Sequence, residues 1–551
     1  MLGYEAIPAL LRQARLDVVF SMLGGTNVPW IARGIGDGSL RLVKTRHEQT
    51  AVGAAGGYAR ATGGVGLASV TRGPGFTNAI NALAVATHSH VPILMLIGES
   101  HASHQPAQNV DQRALTEAIG AGFHEANAPE DLERSFWEAM NAVRWDGTPQ
   151  VLSVRSALLG AEVPFTGRAD APPTSTPDAS AVAAAVDALA AADRPVIVAG
   201  SGVLLAGAVD EVVQLAGLTG ARLATSLRAN YMFEGNPANL GLSGGWSPPQ
   251  VRRALAEADV VLAIGTSLND FVTASGRAFP RATVIHCEVD PRHEYLSTTP
   301  DIVLHGDART TLRALADAWW GRTLPARGLP SAAVDPAEVR SAAMSVDLGH
   351  DPARGLDPRA VFIAFDDLLP QDRVVVTDTG RFLGTLPSIV HARDARSWLV
   401  GNSFQSVGQG LGIAIGAATA FPDRPVVLFT GDGGFTMSLQ DLESVALNGL
   451  DLTVVVINDQ QYGSEMGHLE RFGLPFDIIR QPIPDVTVLA RAVGGTGAVV
   501  STPEELASVD VGGKGLRIID VRVDPEVNVR RVPSTWSSSV DSEAHAGSYA
   551  F

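Results

Sequence analysis

Residues 425–462 constrain the fold of this chain more than any other stretch. Two β-branched runs, PVVLFT and LTVVVI, flank a segment with apolar residues at helical spacing, which predicts a strand, a helix and a second strand. Gly431-Asp432-Gly433-Gly434 follows the first run, and Asn458-Asp459 follows the second. Because the carboxyl ends of parallel strands meet at one edge of a sheet, we expect Asp432 and Asp459 to lie close together.

Two carboxylates at one sheet edge, beside glycines, suit a divalent cation that holds a phosphate group. Mg2+ takes hard oxygen ligands and usually keeps phosphate oxygens in its shell, and glycine lets backbone amides approach a phosphate closely. The letters Gly-Asp-Gly also occur in ordinary turns, so this stretch alone leaves a plain turn as the alternative.

The whole chain predicts an α/β protein with three doubly wound parallel-sheet domains in series. Residues 1–165 alternate helical stretches with strand-like runs, namely DVVFSML, LRLVKT, GLASVT, PILMLIG and PQVLSVR. Residues 181–325 form a second α/β segment that opens with PVIVAGSGVLLAG, and residues 356–530 form a third that contains the acidic turns. Gly200 and Gly202 follow the first strand of the second segment, as in nucleotide-binding folds, but the full glycine motif of those folds is missing. A Rossmann-like domain that binds no ligand is therefore an equally good interpretation.

The segments between and after these domains differ from them in composition. Residues 166–180 and the Ala- and Pro-rich stretch around 321–355 are predicted to be linkers. Residues 531–551 are rich in serine and lack a core pattern, which predicts either a disordered tail or a flap that orders over a ligand.

Charge and cysteine content exclude several classes of partner and location. The net charge of -17 over 551 residues argues against a nucleic-acid or anionic-membrane partner, which would need a basic face. The single cysteine, Cys287, rules out an internal disulfide framework and fits a reducing compartment. With no apolar run long enough for a membrane span and no signal-peptide pattern at the N-terminus, we expect a cytoplasmic protein that acts on a small molecule.

A second group of motifs lies far from the acidic turns. Arg46-His47-Glu48-Gln49 is followed by GYARATG and then by GPGFTN, which ends at Asn78. In combination with GDG and ND in the third segment, these motifs closely resemble the thiamine diphosphate-dependent enzymes of the acetolactate synthase, oxalyl-CoA decarboxylase and 2-hydroxyacyl-CoA lyase type. The resemblance covers nearly the whole chain and implies pyrimidine-binding, middle and diphosphate-binding domains, in that order.

The resemblance implies a thiamine diphosphate site with Mg2+. Asp432 and Asp459 match the two side-chain metal ligands, and the backbone carbonyl of Gln461 matches the third protein ligand. Many relatives have Asn-Asn where this chain has Asn458-Asp459. The resemblance therefore implies that Asp459 is the metal ligand and that Asn458 supports it as a neighbour. Glu48 matches the glutamate that hydrogen-bonds the cofactor's pyrimidine ring and takes part in catalysis. The remaining cofactor contacts implied in this way are Pro74, Asn78, Gln405, Val407, Gly431, Gly433, Gly434, Tyr462 and Gly463.

Two of these assignments carry further expectations. Val407 falls on the position of the large apolar residue that bends the cofactor in relatives, although simple core packing would select a similar residue. In relatives the pyrimidine and the diphosphate are held by different subunits, so the resemblance implies a homodimer, or a dimer of dimers, with active sites at the interface.

Substrate-facing residues are predicted less directly. Counting from Asp459 gives Glu465 the position that faces the thiazolium carbon in relatives, where it would act as acid or base; a solvated carboxylate at a helix start is the alternative. Gln108 and Gln112 both lie where relatives place an active-site glutamine, and the loop at Thr26 and Asn27 reaches toward substrate in relatives. Four histidines lack regular metal-ligand spacing and are predicted to be loop or interface residues: His88, His90, His101 and His104.

The middle domain bears on which reaction is catalysed. Acetolactate synthases bind FAD through an arginine-bearing stretch after the strand equivalent to VVLAIG, and this chain has no arginine at 265–270, which puts FAD in doubt. Leu268-Asn269 is similar to the pair in oxalyl-CoA decarboxylases and 2-hydroxyacyl-CoA lyases, whose middle domain holds ADP or the CoA nucleotide. The serine-rich tail would suit a segment that closes over a CoA thioester.

Three functions follow from these observations. The favoured one is a 2-hydroxyacyl-CoA lyase-like enzyme that releases formyl-CoA and an aldehyde or ketone. The alternative is an acetolactate synthase-like carboligase or decarboxylase that acts on a 2-oxo acid such as pyruvate. A non-catalytic paralogue retained for assembly is the third, and the intact Glu48, Asp432 and Asp459 argue against it.

Overall fold

Three parallel β-sheets, each of six strands and flanked by helices, form the protein. The computed structural model describes residues 1–99, 106–167, 175–289, 297–401 and 403–529. All strand pairs in the three sheets are parallel, so the predicted class of three doubly wound α/β domains is confirmed.

The first sheet has the strand order β2-β1-β3-β4-β6-β5. Its strands are β1 (Val18–Ser21), β2 (Arg41–Lys44), β3 (Gly66–Val70), β4 (Ile93–Gly98), β5 (Gly122–Ala126) and β6 (Gln150–Val154). Its helices are α1 (Gly3–Gln13), α2 (Val28–Gly36), α3 (Glu48–Thr62), α4 (Pro74–His88), α5 (Gln112–Ala118) and α6 (Asp131–Asp146). The sequence does not predict β5, because this strand pairs only with β6 at the sheet edge and carries the polar His124 and Glu125.

The middle sheet has the order β12-β11-β10-β7-β8-β9. Its strands are β7 (Pro195–Ala199), β8 (Arg222–Thr225), β9 (Asn239–Leu242), β10 (Val260–Ile264), β11 (Thr283–Glu288) and β12 (Ile302–His305). Its helices are α7 (Ala179–Ala191), α8 (Ser201–Ala206), α9 (Val209–Thr219), α10 (Pro249–Ala256), α11 (Asp270–Thr273) and α12 (Ala308–Gly321). The short edge strands β9 and β12 are also absent from the sequence prediction. A further helix, α13 (Pro336–Met344), lies within the predicted linker around 321–355.

The third sheet has the order β14-β13-β15-β16-β18-β17. Its strands are β13 (Val374–Thr377), β14 (Trp398–Val400), β15 (Val426–Gly431), β16 (Leu452–Asn458), β17 (Thr496–Val500) and β18 (Leu516–Arg522). Its helices are α14 (Pro358–Leu368), α15 (Leu386–Ile389), α16 (Gly410–Ala420), α17 (Asp432–Met437), α18 (Leu442–Leu447), α19 (Met466–Phe472), α20 (Val486–Ala492) and α21 (Pro503–Ser508).

The first and third sheets have the same strand order, counted from the first strand of each. In both, the chain passes from one side of the first strand to the other, so the winding reverses between β1 and β3 and between β13 and β15. Open α/β sheets bind ligands at the carboxyl ends of the strands that flank such a reversal. The two edges where ligands are expected are therefore defined by topology.

Helices α3 and α16 join the first domain to the third. Gly57 of α3 lies so close to Ile413 that a Cβ atom would collide with the Ile413 carbonyl group, and Gly416 of α16 approaches the Ala54 carbonyl in the same way. Residues of both domains belong to one continuous buried apolar cluster, which includes Val52 and Ala414. This contact fixes the start of α3, and with it Glu48, relative to the third sheet. None of the helices in the described part of the chain has both the length and the apolarity to cross a membrane.

Candidate active site

The two predicted metal-binding carboxylates lie at the carboxyl edge of adjacent strands. Asp432 begins α17 directly after β15, and Asp459 follows β16, which pairs with β15 in parallel register. The backbone N–H of Gln461 lies 3.2 Å from Oδ2 of Asp432 and 3.2 Å from Oδ1 of Asp459. One amide is thus shared by both carboxylates, as the strand pairing predicts.

Burial makes these carboxylates expensive to ionise together. Burial, and then repulsion from Asp459, raise the pKa of Asp432 to about 7. Burial also raises the pKa of Asp459, although the neighbouring Arg381 guanidinium and the Gln461 amide oppose that rise. A cation between the two carboxylates would relieve both desolvation and repulsion.

The residues around the pair supply the rest of an oxygen-rich pocket. The carbonyl of Gln461 accepts a hydrogen bond from Gly463 N–H at 2.9 Å and keeps a second lone pair. Asn458 is buried and does not contact the pocket through its amide: its Nδ2 donates to Asp520 at 2.7 Å, and its Oδ1 accepts from Gln460 N–H at 3.0 Å. Asn458 therefore anchors the loop that carries Asp459. Two carboxylates and a carbonyl form a donor set of the kind that Mg2+ takes.

Glycines line the loop next to these carboxylates. A Cβ at Gly431 would meet nothing closer than Phe382 at 3.9 Å, so the backbone there is open to a ligand. At Gly433 a Cβ would lie 2.9 Å from the ring of Tyr462, which packs on this glycine. At Gly434 it would collide with the Asp378 carboxylate. The predicted phosphate loop is thus held between Tyr462 on one side and Asp378 on the other.

Asp378, which the sequence analysis did not single out, organises this end of the sheet. Its carboxylate accepts hydrogen bonds from Thr379 N–H at 2.8 Å and from Thr430 Oγ1 at 3.1 Å. It also accepts from the backbone amides of Gly408 and Gln409, at 3.0 and 3.3 Å. Burial raises its pKa. Asp378 therefore ties the phosphate loop to the turn that follows Val407, and only its position after a buried strand hints at this from the sequence.

The residues predicted to shape the cofactor lie on that turn. Val407 is 38% exposed, so it does not belong to the hydrophobic core of a single chain. Packing within that core is therefore not the reason for an apolar residue at this position. Gln405 adopts a left-handed backbone with φ of 57°. The neighbouring Ser406 bonds to Asn81 of α4 at 2.9 Å, and Phe404 stacks on His88 with ring centroids 4.8 Å apart. This turn thus contacts the first domain, and His88 lies at the contact.

Glu48 lies in a separate cluster at the carboxyl edge of the first sheet. It is buried at the start of α3, and its Oε2 accepts a hydrogen bond from Asn78 Nδ2 at 3.1 Å. Its Oε1 would lie 3.2 Å from a Cβ on Gly75, which follows Pro74 at the start of α4. The GPGFTN motif thus packs directly on the glutamate. Among the described residues, no hydrogen bond or ion pair joins this cluster to Asp432 or Asp459 of the same chain.

The substrate-facing candidates of the first domain lie around the same edge. Gln108 accepts from Arg72 Nε at 3.3 Å, and its carbonyl packs on Gly73, next to Pro74. Gln112 is buried, and its amide bonds to the Gly98 carbonyl at 3.1 Å and to Ser153 at 3.4 Å. These contacts place Gln108 beside the Glu48 cluster. The Gln112 amide, in contrast, links the ends of β4 and β6.

The loop after β1 contacts this edge as well. Thr26 bonds to Thr71 across 3.3 Å. Asn27 is fully buried and holds its own loop together, since its Oδ1 accepts from Gly24 N–H at 2.8 Å and its Nδ2 donates to Ser21 at 3.1 Å. Of the two loop candidates, Thr26 therefore has the freer side chain for substrate.

Glu465 lies on a short 3-10 turn, Gly463–Glu465, directly after the metal motif. Its side chain is exposed, so its assignment as acid or base stays a prediction.

His101, His104 and the predicted tail or flap at 531–551 lie outside the described residues. His90 follows the end of α4 with φ of 47°. In the described part of the chain, no three His, Cys, Asp or Glu side chains are grouped so as to hold a metal.

In the middle domain, the glycines at the winding reversal serve the packing of the backbone. Gly202 N–H donates to the Gly265 carbonyl at 2.9 Å, and a Cβ at Gly202 would lie 2.6 Å from the Gly265 Cα. A cavity of about 360 Å3 adjoins this contact and is lined by residues of the first and middle domains, Arg15, Cys287 and Glu288 among them. A nucleotide or FAD in this domain stays a prediction.

The three α/β domains thus carry two polar clusters at sheet edges, one with paired carboxylates beside glycines and another with a buried glutamate. Comparison with known families gives three matches: the N-terminal TPP binding domain of thiamine pyrophosphate enzymes at residues 1–118, their central domain at 182–315 and their C-terminal TPP binding domain at 378–514.

Similar proteins match over nearly the full length. The probable 2-ketoarginine decarboxylase of Pseudomonas aeruginosa is 31% identical over 94% of this chain and 93% of its own. The acetolactate synthase of Mycobacterium bovis is 27% identical over 99% of this chain and 92% of its own. The acetolactate synthase isozyme 3 large subunit of Escherichia coli is 28% identical over 89% of each chain. The chain belongs to the thiamine pyrophosphate (thiamine diphosphate) enzyme family, as its motifs imply.

Proposed function

We propose that this protein is a thiamine diphosphate- and Mg2+-dependent enzyme of the acetolactate synthase type, a carboligase or decarboxylase that acts on a 2-oxo acid such as pyruvate. The observation that carries this proposal is the full-length likeness to proteins named acetolactate synthase and 2-ketoarginine decarboxylase. In support of it, Glu48 and Asp432 are buried, and the Asp459 side chain is 9% exposed.

The 2-hydroxyacyl-CoA lyase interpretation, which the sequence favours, is less well supported than this proposal. It rests on Glu465, on the missing arginine at 265–270, on the serine-rich tail and on Leu268-Asn269. Both residues of that pair have a structural reason to be there. Asn269 caps α11, where its side chain accepts from the backbone amides of Phe271 and Val272 at 3.1 Å each, and Leu268 is fully buried. The pair therefore gives no independent evidence for a CoA nucleotide.

Each cluster has a distinct task in this proposal. Asp432, Asp459 and the Gln461 carbonyl would hold Mg2+ and, through it, the diphosphate, while Gly431 and Gly433 leave room for the phosphate oxygens. Bound thiamine diphosphate supplies an electron sink for the bond that breaks or forms next to a carbonyl.

The first domain would orient the other end of the cofactor. Glu48 would hold a ring nitrogen of the pyrimidine, and Asn78 fixes the orientation of the Glu48 carboxylate through its hydrogen bond. Gln108 would donate to a substrate oxygen, and Glu465 would move a proton at the reacting carbon. The burial of Glu48 limits its access to bulk water.

We further propose that a second copy of the chain completes the site, as a homodimer or a dimer of dimers. The Glu48 and Asp432 clusters of one chain share no recorded hydrogen bond or ion pair among the described residues. The segment after the metal motif exposes large apolar side chains, with Phe472 at 68%, Leu474 at 52% and Ile478 at 69%. Such a patch next to a site is typical of a surface that a partner covers.

A substrate panel tests the reaction. Purified protein with thiamine diphosphate and Mg2+ is incubated with pyruvate, with longer 2-oxo acids and with a 2-hydroxyacyl-CoA. We expect CO2 release from a 2-oxo acid, with acetolactate or acetoin as product from pyruvate. Asp432→Asn protein serves as the inactive control. Formation of formyl-CoA without consumption of any 2-oxo acid would contradict the proposal and restore the lyase reading.

A further inference from the structure

Arg381 is a buried cation that the predicted cofactor contacts do not include. It begins a 3-10 turn, Arg381–Gly384, shortly after β13, at the same edge of the third sheet as Asp432 and Asp459. The residue is 9% exposed. A guanidinium held out of water needs a partner, because a buried unpaired charge is strongly destabilising.

The guanidinium finds that partner in a predicted metal ligand. Arg381 forms an ion pair with the Asp459 carboxylate, and its Nη2 donates to the Pro525 carbonyl at 2.9 Å. Gly463 permits this approach, since a Cβ there would lie 2.6 Å from Arg381 Nε and 2.5 Å from Asp459 Oδ2. In the described part of the chain, Arg381 is the one cationic side chain with a recorded ion pair to either metal-binding carboxylate.

With the cofactor bound, the site would contain negative charge that Arg381 could balance. Mg2+ balances the two carboxylates, so the charge of a diphosphate stays uncompensated by the metal alone. The ligand oxygens of one Mg2+ shell lie about 3 Å apart, given metal–oxygen distances of roughly 2.1 Å in an octahedron. A phosphate oxygen and an Asp459 oxygen that bind the same metal ion would therefore lie close together. Because Arg381 contacts Asp459, it would also lie close to that phosphate oxygen.

We propose that Arg381 is a diphosphate-binding residue that also serves as the counter-ion of Asp459 in the cofactor-free protein. The metal displaces the guanidinium from Asp459, and the guanidinium then pairs with the diphosphate. This inference rests on the proposed Mg2+ and thiamine diphosphate site. It distinguishes Arg381 from a purely structural arginine, because metal and guanidinium compete for one carboxylate whereas diphosphate and guanidinium attract each other.

Binding measurements on cofactor-free protein test this without any assay of turnover. Mn2+ alone is titrated by electron paramagnetic resonance, and inorganic pyrophosphate and thiamine diphosphate, each with Mg2+, by calorimetry. For Arg381→Gln we expect Mn2+ to bind several-fold more tightly, because its competitor is gone. We expect both diphosphates to bind at least about tenfold more weakly, because a charge-assisted interaction is lost. Arg381→Lys should lie between, since it keeps the charge without the fork of donors.

Arg517→Gln is the matched control, because it removes another guanidinium of the third domain, one paired with the exposed Asp510. It should leave all three affinities unchanged. Unaltered diphosphate affinity in folded Arg381→Gln protein, or weaker binding of Mn2+ alone, would overturn the inference. If Arg381→Gln does not fold, undiminished diphosphate affinity in Arg381→Lys overturns it instead. Failure of the wild-type protein to bind either diphosphate would overturn the cofactor site itself.

Discussion

At the level of single residues, the buried carboxylates of this protein are compensated in different ways. Glu48 accepts one side-chain hydrogen bond from Asn78, Asp459 pairs with Arg381, and Asp378 accepts four hydrogen bonds without a recorded cation among the described residues. These differences predict different consequences for replacing each carboxylate with its amide.

Replacing Glu48 should affect turnover far more than diphosphate binding. Glu48→Gln removes the carboxylate that would hold the pyrimidine ring, and positioned acid–base groups typically contribute about 100-fold or more to rate. We therefore expect kcat to fall by at least about 100-fold, while Mg2+–pyrophosphate binds as in wild type. Glu443→Gln, which alters an exposed glutamate paired with Arg46, is the control and should retain activity. Near-normal kcat in Glu48→Gln protein would refute the assigned role.

Replacing Asp378 should loosen the turn at Gly408. An amide cannot accept all four hydrogen bonds that the carboxylate accepts, so Asp378→Asn should destabilise the protein by about 1–3 kcal/mol. A lower Tm in a thermal melt would show this. Asp378→Glu, which keeps the charge and displaces it, should also lower Tm. A Tm equal to that of wild type in Asp378→Asn protein would show that the four bonds do not hold the turn.

The effect of Asp378 should also depend on pH. Burial raises its pKa in the folded protein above the ordinary value of 3.8, so the folded state binds this proton more tightly than the unfolded chain. Its contribution to stability is therefore fully present below that value and declines as pH rises through the raised pKa. Since asparagine does not titrate, the difference in Tm between wild type and Asp378→Asn should narrow over the pH range above 3.8, as Asp378 ionises. A difference that widens over this range would contradict the assignment.

At the level of elements, the contact between α3 and α16 depends on glycines placed where backbones meet. Gly57 and Gly53 lie on the same helix, one turn apart, and differ in what surrounds them. A Cβ at Gly57 would collide with the Ile413 carbonyl, whereas a Cβ at Gly53 would lie 3.5 Å from Gly412, an ordinary contact. The helix positions Glu48 at its first residue, so the fit of this interface bears on the site.

Alanine at these two glycines should therefore have opposite effects. Gly53→Ala should leave stability unchanged or raise it by up to about 1 kcal/mol, since alanine favours the helix. Gly57→Ala should lower it, because α3 and α16 must separate and overpacking typically costs about 1–3 kcal/mol. Thermal melts of both variants provide the measurement. Equal Tm values for the two would show that the helices do not meet as described.

At the level of the whole molecule, the proposed sharing of each site between two chains makes a prediction about mixed dimers. If Glu48 of one copy serves the Asp432 cluster of another, then Glu48→Gln and Asp432→Asn chains complement each other. Co-expression with two different tags and purification through both isolates the mixed dimer. It should have about half the activity of wild type, because one of its two sites contains no altered residue. A site built within one chain would leave every site of the mixed dimer defective and the dimer inactive.

Sequence patterns were sufficient for the fold class and the family, and they predicted which residues would hold the cofactor. Strands β15 and β16 are strongly β-branched, and the acidic residues follow them directly, so local signals suffice to bring Asp432 and Asp459 together. The motif around Glu48 is also local. These features depend on short runs of residues and on the order of the strands along the chain, and both can be predicted from the sequence pattern.

The surroundings of these residues, by contrast, became visible only in the folded chain. The edge strands β5, β9 and β12 lack long apolar runs because one side of each is unpaired. Arg381 follows β13, and its partners come from the loop after β16 and from Pro525 beyond β18. Asp378 likewise joins segments that are distant in sequence. Such contacts arise when adjacent strands of the sheet end side by side, and no sequence spacing encodes which long side chain then bridges them.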